Sequence, residues 1–152
     1  MPSLRKFMES RNYYKVPLTL SATNHLEVVA CINGVSGRFI LDTGASNTCV
    51  GTDRGDFFKL VSETSEIKAA GAGAMDMETL ISQNNEIRMG DWKKTRQQVV
   101  LFDLVHVNQA LVLHDGLAVD GIIGADLLKK SNAVIDYTTP CLYLKKQTPV
   151  CR

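Results

Sequence analysis

The sequence predicts an all-β barrel or sandwich carrying one or two small helices. Three observations predict it. Apolar and polar residues alternate over short runs, turn residues punctuate those runs at regular spacing, and helical periodicity appears only in brief stretches such as Ala125–Lys130.

Ser3 is a helix-capping residue followed by apolar Leu4, Phe7 and Met8, so a short amphipathic helix is expected to begin the chain. From Tyr14 the period changes to two, with Tyr14, Val16, Leu18 and Leu20 on one face. Pro17 lacks a ladder donor and places that strand at an edge. Leu26, Val28, Ala30 and Ile32 repeat the alternation. Asn33-Gly34 is a two-residue hairpin signal, and Val35, Gly37, Phe39 and Leu41 return to end at Asp42. A loop of small and polar residues follows, from Thr43 to Thr48, before Cys49 and Val50 resume buried character. Asp53 is read as capping a helical turn through Phe57, Phe58, Leu60 and Val61. Runs at 66–70 and 75–79 flank Gly71-Ala-Gly-Ala74, the layout of a hairpin with a glycine-containing tip. Further strands are expected at Ile87–Met89 and Val99–Phe102 around a turn at Gly90-Asp91, then a short helix from Asn108 to His114 stopped at Gly116. Last come Val119–Gly124, a helix Ala125–Lys130, and strands Ala133–Tyr137 and Leu142–Lys145 joined by a turn at Thr138–Pro140.

The 152 residues, 45% apolar and 22% charged, are the size and composition of one globular domain. The layout divides into an N-terminal extension at 1–13, one domain at 14–147 and a tail at 148–152. Seventeen basic against sixteen acidic residues leave a net charge of +1, which supplies no field for a polyanion, so no nucleic-acid partner is expected. The pairs Lys93-Lys94, Lys129-Lys130 and Lys145-Lys146 are scattered and read as solvated faces. The longest apolar run, Val28 to Ile32, is far too short to span a bilayer, and Met1 to Val16 has no secretory pattern; no membrane partner is expected. Cys31, Cys49, Cys141 and Cys151 include no Cys-x-x-Cys pair, so reduced thiols and a cytoplasmic setting are the simplest reading. His25, His106 and His114 have no partners at ligand spacing, so no metal or other cofactor is expected. Gly71–Ala74 lacks the Gly-Lys-Ser/Thr of a phosphate loop, and Trp92 reads as a turn or sheet-surface aromatic.

Chemistry concentrates in Phe39-Ile-Leu-Asp-Thr-Gly-Ala-Ser46. A buried strand holds the backbone of Asp42, Gly44 permits a close approach, and Thr43 supplies a hydroxyl to a neighbouring loop. Alone, the same residues also describe an ordinary turn aspartate bonded to the amides of Gly44 or Ala45. A second, distant element adds weight: Val119-Asp-Gly-Ile-Ile-Gly-Ala-Asp-Leu-Leu128, two apolar residues and a glycine at a strand end before a helix.

With these two motifs the sequence resembles the retropepsin-like aspartic proteases of clan AA, most closely the small single-lobe bacterial members, over roughly Lys15 to Lys146. The resemblance implies a closed or partly open β-barrel-like lobe that works as a two-fold homodimer on a peptide or protein substrate. By it, Asp42 is the catalytic aspartate and Thr43, Gly44, Ala45 and Ser46 complete the active-site loop, the Thr43 hydroxyl locking two such loops together and Gly44 meeting the substrate backbone. Ala70, Gly71, Ala72, Gly73 and Ala74 are the flap tip, while Ile122, Ile123 and Gly124 pack beneath the loop. Two departures stand out. Ser46 and Ala125 occupy places where the viral members carry an acidic residue and an arginine, and the flap tip has no aromatic residue.

The implied chemistry needs two carboxyl groups about 3 Å apart sharing a proton, one activating water and the other polarising the carbonyl. Asp115-Gly116 and Asp120-Gly121 lack the intervening Thr or Ser, so the second carboxylate is expected from the Asp42 of another copy across a two-fold axis. The competing reading is a non-catalytic or latent dimer that holds an extended peptide in the same groove.

Overall fold

The computed structural model describes residues 3–64 and 79–147. In chain order they form α1 (Leu4–Ser10), β1 (Tyr13–Pro17), β2 (Thr19–Leu20), β3 (Leu26–Ile32), β4 (Val35–Leu41), β5 (Cys49–Gly51) and β6 (Ser62–Thr64). Then follow β7 (Leu80–Met89), β8 (Trp92–Phe102), α2 (Val105–Leu113), β9 (Gly121–Ile123), α3 (Ala125–Lys130), β10 (Val134–Asp136) and β11 (Cys141–Lys145). The all-β expectation holds.

Six of these strands close a barrel. The β3–β4 hairpin turns at Asn33 and Gly34, whose φ values of 52° and 82° suit the tight turn that matches strand twist. β9 lies parallel to β4 and antiparallel to β5; β5 lies parallel to β8, and β8 pairs antiparallel with β7. β7 then returns to β3 through Cys31↔Arg88 and Ile32↔Ile87, closing the ring, while β2 and β6 extend its rims. Period-two alternation sends Leu26, Val28, Ala30 and Ile32 into the interior, where they meet Phe39, Phe58, Ile87, Met89 and Ile123. Fully buried Ile and Met side chains of this kind each contribute roughly 1.5–3 kcal/mol.

A second sheet, ordered β1-β11-β10, stands beside the barrel. α1 rests on it by burying Met8 against Cys141 and Tyr143, and Ser3 caps the helix by accepting from the Lys6 N–H at 3.1 Å.

Four local expectations are corrected. The run 14–20 is not one strand: it breaks at Leu18, whose N–H goes to Pro140 O at 3.1 Å, so β1 serves the small sheet and β2 the barrel. Alternation cannot reveal such a switch, because the period is the same in either sheet. The helical turn expected after Asp53 is only a 3-10 turn at Thr52–Arg54 followed by turns, ended where Lys59 takes a φ of 58°. α2 starts before Asn108, at Val105, whose N–H donates to Asp103 Oδ1 at 2.8 Å. Trp92 is 1% exposed, a core residue opposite Met89 rather than a surface aromatic.

The tightest crossing is at Gly121, held between β4 and β5: a Cβ there would lie 2.1 Å from Cys49 O and 2.8 Å from the Phe39 ring. Gly34, with a φ of 82°, has nothing within 4 Å of the same added atom. Gly121→Ala is therefore expected to destabilise by roughly 3 kcal/mol or more, and Gly34→Ala by about 1 kcal/mol. Urea unfolding midpoints check this; equal losses at the two positions contradict the crossing.

Candidate active site

Asp42 follows the last residue of β4, and its N–H donates to Ile123 O at 3.0 Å, continuing the parallel β4–β9 ladder one residue beyond Leu41↔Ile123. The chain then turns: Asp42 O accepts from the Ala45 N–H at 3.2 Å, and Asp42 Oδ1 accepts from the Gly44 N–H at 2.8 Å. That carboxylate–amide bond is the one a turn aspartate makes. The difference lies in the support beneath it. Thr43, Gly44 and Ser46 stand exposed at the loop's crest, Asp42 and Ala45 are half-buried, and Ile122 and Ile123 lie under them at 8% and 0% exposure.

The second motif meets the first by backbone contact. Ala45 O accepts from the Ala125 N–H at 2.7 Å, and Gly124 approaches so closely that a Cβ would lie 2.7 Å from Ala45 O and 2.8 Å from Asn47 O. The glycine of the Ile-Ile-Gly motif is thus required by the loop it supports. Thr48 completes the junction and is fully buried. Its hydroxyl accepts from the Gly124 N–H at 3.0 Å and donates to Asp126 Oδ1 at 2.8 Å, while its own N–H donates to the same oxygen at 2.9 Å. Charge-assisted bonds to a carboxylate are about twice as strong as neutral ones, so Asp126 anchors the loop to the first turn of α3. This clamp joins the two motifs within one chain, without the acidic and arginine residues that Ser46 and Ala125 replace.

Asp120, the internal alternative to a second Asp42, is committed elsewhere. Its Oδ1 accepts from Arg54 Nε at 2.9 Å and its Oδ2 from the Arg38 N–H at 2.9 Å, tying the 3-10 turn to β4. Cys49 is a buried thiol whose pKa is pushed up to about 12, chiefly by burial and further by the nearby Asp126 and Asp42 carboxylates, against a lowering backbone bond at Ile122. It is neutral at ordinary pH and unsuited to nucleophilic work.

The sequence reading brought together Asp42 to Ser46 and Ile122 to Gly124. The flap residues Ala70, Gly71, Ala72, Gly73 and Ala74 lie outside the described residues. Missed were the roles of Thr48 and Asp126. Their signal was present: a hydroxyl residue closing the small-residue loop, and an acid two places after the motif glycine. Among the described residues no three His, Cys, Asp or Glu side chains cluster to hold a metal ion, and no helix is long and apolar enough to cross a membrane.

A closed barrel in which an Asp-Thr-Gly loop rests on an apolar-apolar-Gly strand end defines a retropepsin-like lobe. Solved structures share that fold. The retropepsin-like aspartic protease from Rickettsia conorii matches with a TM-score of 0.56 at 15% identity, covering 88% of this chain and 89% of its own. The EIAV protease complexed with the inhibitor HBY-793 matches with a TM-score of 0.54 at 17% identity, covering 74% and 92%. The retroviral protease-like domain of Ddi1 from Leishmania major matches with a TM-score of 0.54 at 17% identity, covering 82% and 94%. No curated protein sequence matches significantly. The model of the aspartyl protease family matches residues 28–127, about two thirds of the chain, and the chain belongs to that family: it is an aspartic-type endopeptidase.

Thr48→Val keeps the shape of the side chain but strands the Gly124 N–H and removes one of the bonds to Asp126. It is expected to cost roughly 1–3 kcal/mol. Asp126→Asn retains an acceptor for the Thr48 N–H and is expected to cost less. Chemical denaturation of the two variants checks the order, which reverses if the hydroxyl plays no part in the clamp.

Proposed function

We propose that Asp42 is the catalytic carboxylate and that the working enzyme is a homodimer hydrolysing peptide bonds between two copies of it. The observation that carries this reading is the single, rigidly supported Asp42 on each chain, combined with the engagement of Asp120 by Arg54 and Arg38. One carboxylate does not supply both a base for water and an acid for the carbonyl. A two-fold axis beside the exposed loop crest supplies the second without any further sequence. Thr43, exposed in one chain, is then free to meet the loop of the partner, and Gly44 the substrate backbone. Antiparallel pairing of β6 with β7 through Thr64↔Leu80 supports assigning the flap tip to 70–74. The protease domain on this reading runs over 14–147, with α1 as an extension docked on the small sheet.

In the reaction, one Asp42 carboxylate takes a proton from water as the water attacks the scissile carbonyl, and its protonated mate donates a hydrogen bond to the carbonyl oxygen. The proton then passes to the leaving nitrogen and the pair returns to a shared-proton state. Because the reaction needs one carboxylate charged and its mate protonated, the rate profile is expected to be bell-shaped with its maximum on the acid side of neutrality.

Asp42→Asn preserves the Gly44 bond through its amide oxygen and is expected to keep the fold while abolishing cleavage. Incubation of both proteins with a diverse peptide library between about pH 4 and pH 8, with circular dichroism as the folding control, tests it. Cuts that persist in the variant overturn the assignment of Asp42.

A further inference from the structure

A concavity, none of whose lining residues belongs to the Asp42 loop, opens on the outer face of the barrel beside β3. β4 pairs with β3 along nearly the whole of one edge, Glu27 to Ile32. The other edge is shared: β2 takes Leu26 and Glu27, β7 takes Cys31 and Ile32, and Val29 is left between them without a ladder partner there. Odd-numbered residues of this strand direct their peptide groups to that edge, since the Asn33 N–H reaches Glu86 O at 2.9 Å and backbone groups alternate between edges. Val29, 64% exposed, therefore turns its N–H and C=O toward the opening, where no strand among the described residues pairs with it.

The gap forms a groove of about 430 Å³ lined in part by Val16, Pro17, Val29, Cys31, Arg38 and Arg88. Arg38 lies opposite Val29 on β4, and Arg88 lies opposite Cys31 on β7, so both arginines project from one face of the sheet. Strand spacing and rise place their Cα atoms roughly 12 Å apart, a span that two arginine side chains close from either side. Arg38 Nη2 pairs with buried Glu27, yet its Nε is buried with no hydrogen-bond partner among the described residues. Arg88 is exposed, and among the described residues its side chain makes one polar contact, from Nη2 to Cys31 Sγ at 3.9 Å. Two guanidiniums and one carboxylate leave the groove with one net positive charge and donor capacity to spare.

We propose that this groove binds a small organic carboxylate, its anionic head between Arg38 and Arg88 and its apolar part against the exposed Pro17 and Val29. Arginine forks match carboxylate geometry, and a concavity of several hundred Å³ with apolar walls and few polar groups is the form of a small-molecule site. A bare inorganic anion satisfies the guanidiniums but leaves Pro17 and Val29 in water.

Hexanoate and inorganic phosphate, titrated separately into the isotope-labelled full chain and followed by amide chemical shifts, test the proposal. Hexanoate is expected to shift Val29, Cys31 and Arg88 saturably, and to bind about tenfold more tightly than phosphate, a difference near 1.4 kcal/mol. Arg88→Ala, an exposed substitution that leaves the Glu27–Arg38 pair intact, is expected to weaken hexanoate by about tenfold. Phosphate binding as tightly as hexanoate, shifts that never saturate, or unchanged affinity in Arg88→Ala overturns the site.

Discussion

The hydroxyl of Thr48 stands where the two halves of the chain meet, accepting from Gly124 and donating to Asp126 in a place with no access to water. A buried hydroxyl with both roles filled is stable only in one arrangement of its neighbours, because a shift of any partner strands a polar group in the interior. The Asp42 loop is held between that point and the end of β4. Its crest is exposed while its roots are fixed, and the Asp42 backbone is bonded to Ile123 by the same ladder that closes the barrel. Catalytic groups need placement to within about half an ångström, and a site rooted in crossing strands meets that demand better than a free loop.

Glycine makes the crossing possible. Gly121 lets β9 pass between β4 and β5, and Gly124 lets α3 begin against the Ala45 and Asn47 carbonyls. Both lie in the Asp-Gly-Ile-Ile-Gly run that the sequence singled out, and the structure shows what each avoids. The asymmetry is instructive. Ile122 and Ile123 are replaceable in principle by other apolar residues of similar volume, whereas a side chain at Gly121 meets backbone that has nowhere to move.

The fold class, the β3–β4 hairpin and α3 were legible because each rests on local signals: alternation in Leu26–Ile32, the Asn33-Gly34 turn, and a short helical period closed at its ends. The strand break at Leu18 was not legible, since sheet exchange leaves alternation unchanged, and neither was the burial of Trp92, which depends on how β7 and β8 curl into the barrel. The candidate site divides the same way. Asp42 to Gly44 and Ile122 to Gly124 are contiguous motifs and could be read directly. The Thr48–Asp126 clamp joins residues 78 apart in sequence, and only the folded chain shows that they share an oxygen. The groove between Arg38 and Arg88 was invisible for a related reason: it exists because β2 and β7 divide one edge of β3.

On the proposed mechanism each chain is half of a catalytic site, and its near-zero net charge of +1 sets up little long-range repulsion against a second copy. The most direct measurement mixes wild-type chains with Asp42→Asn chains, refolds them together at several ratios and records peptide cleavage at constant total protein. If both carboxylates of every site come from Asp42 of different chains, activity falls as the square of the wild-type fraction. A linear fall means that one chain carries a complete site and contradicts the shared dyad.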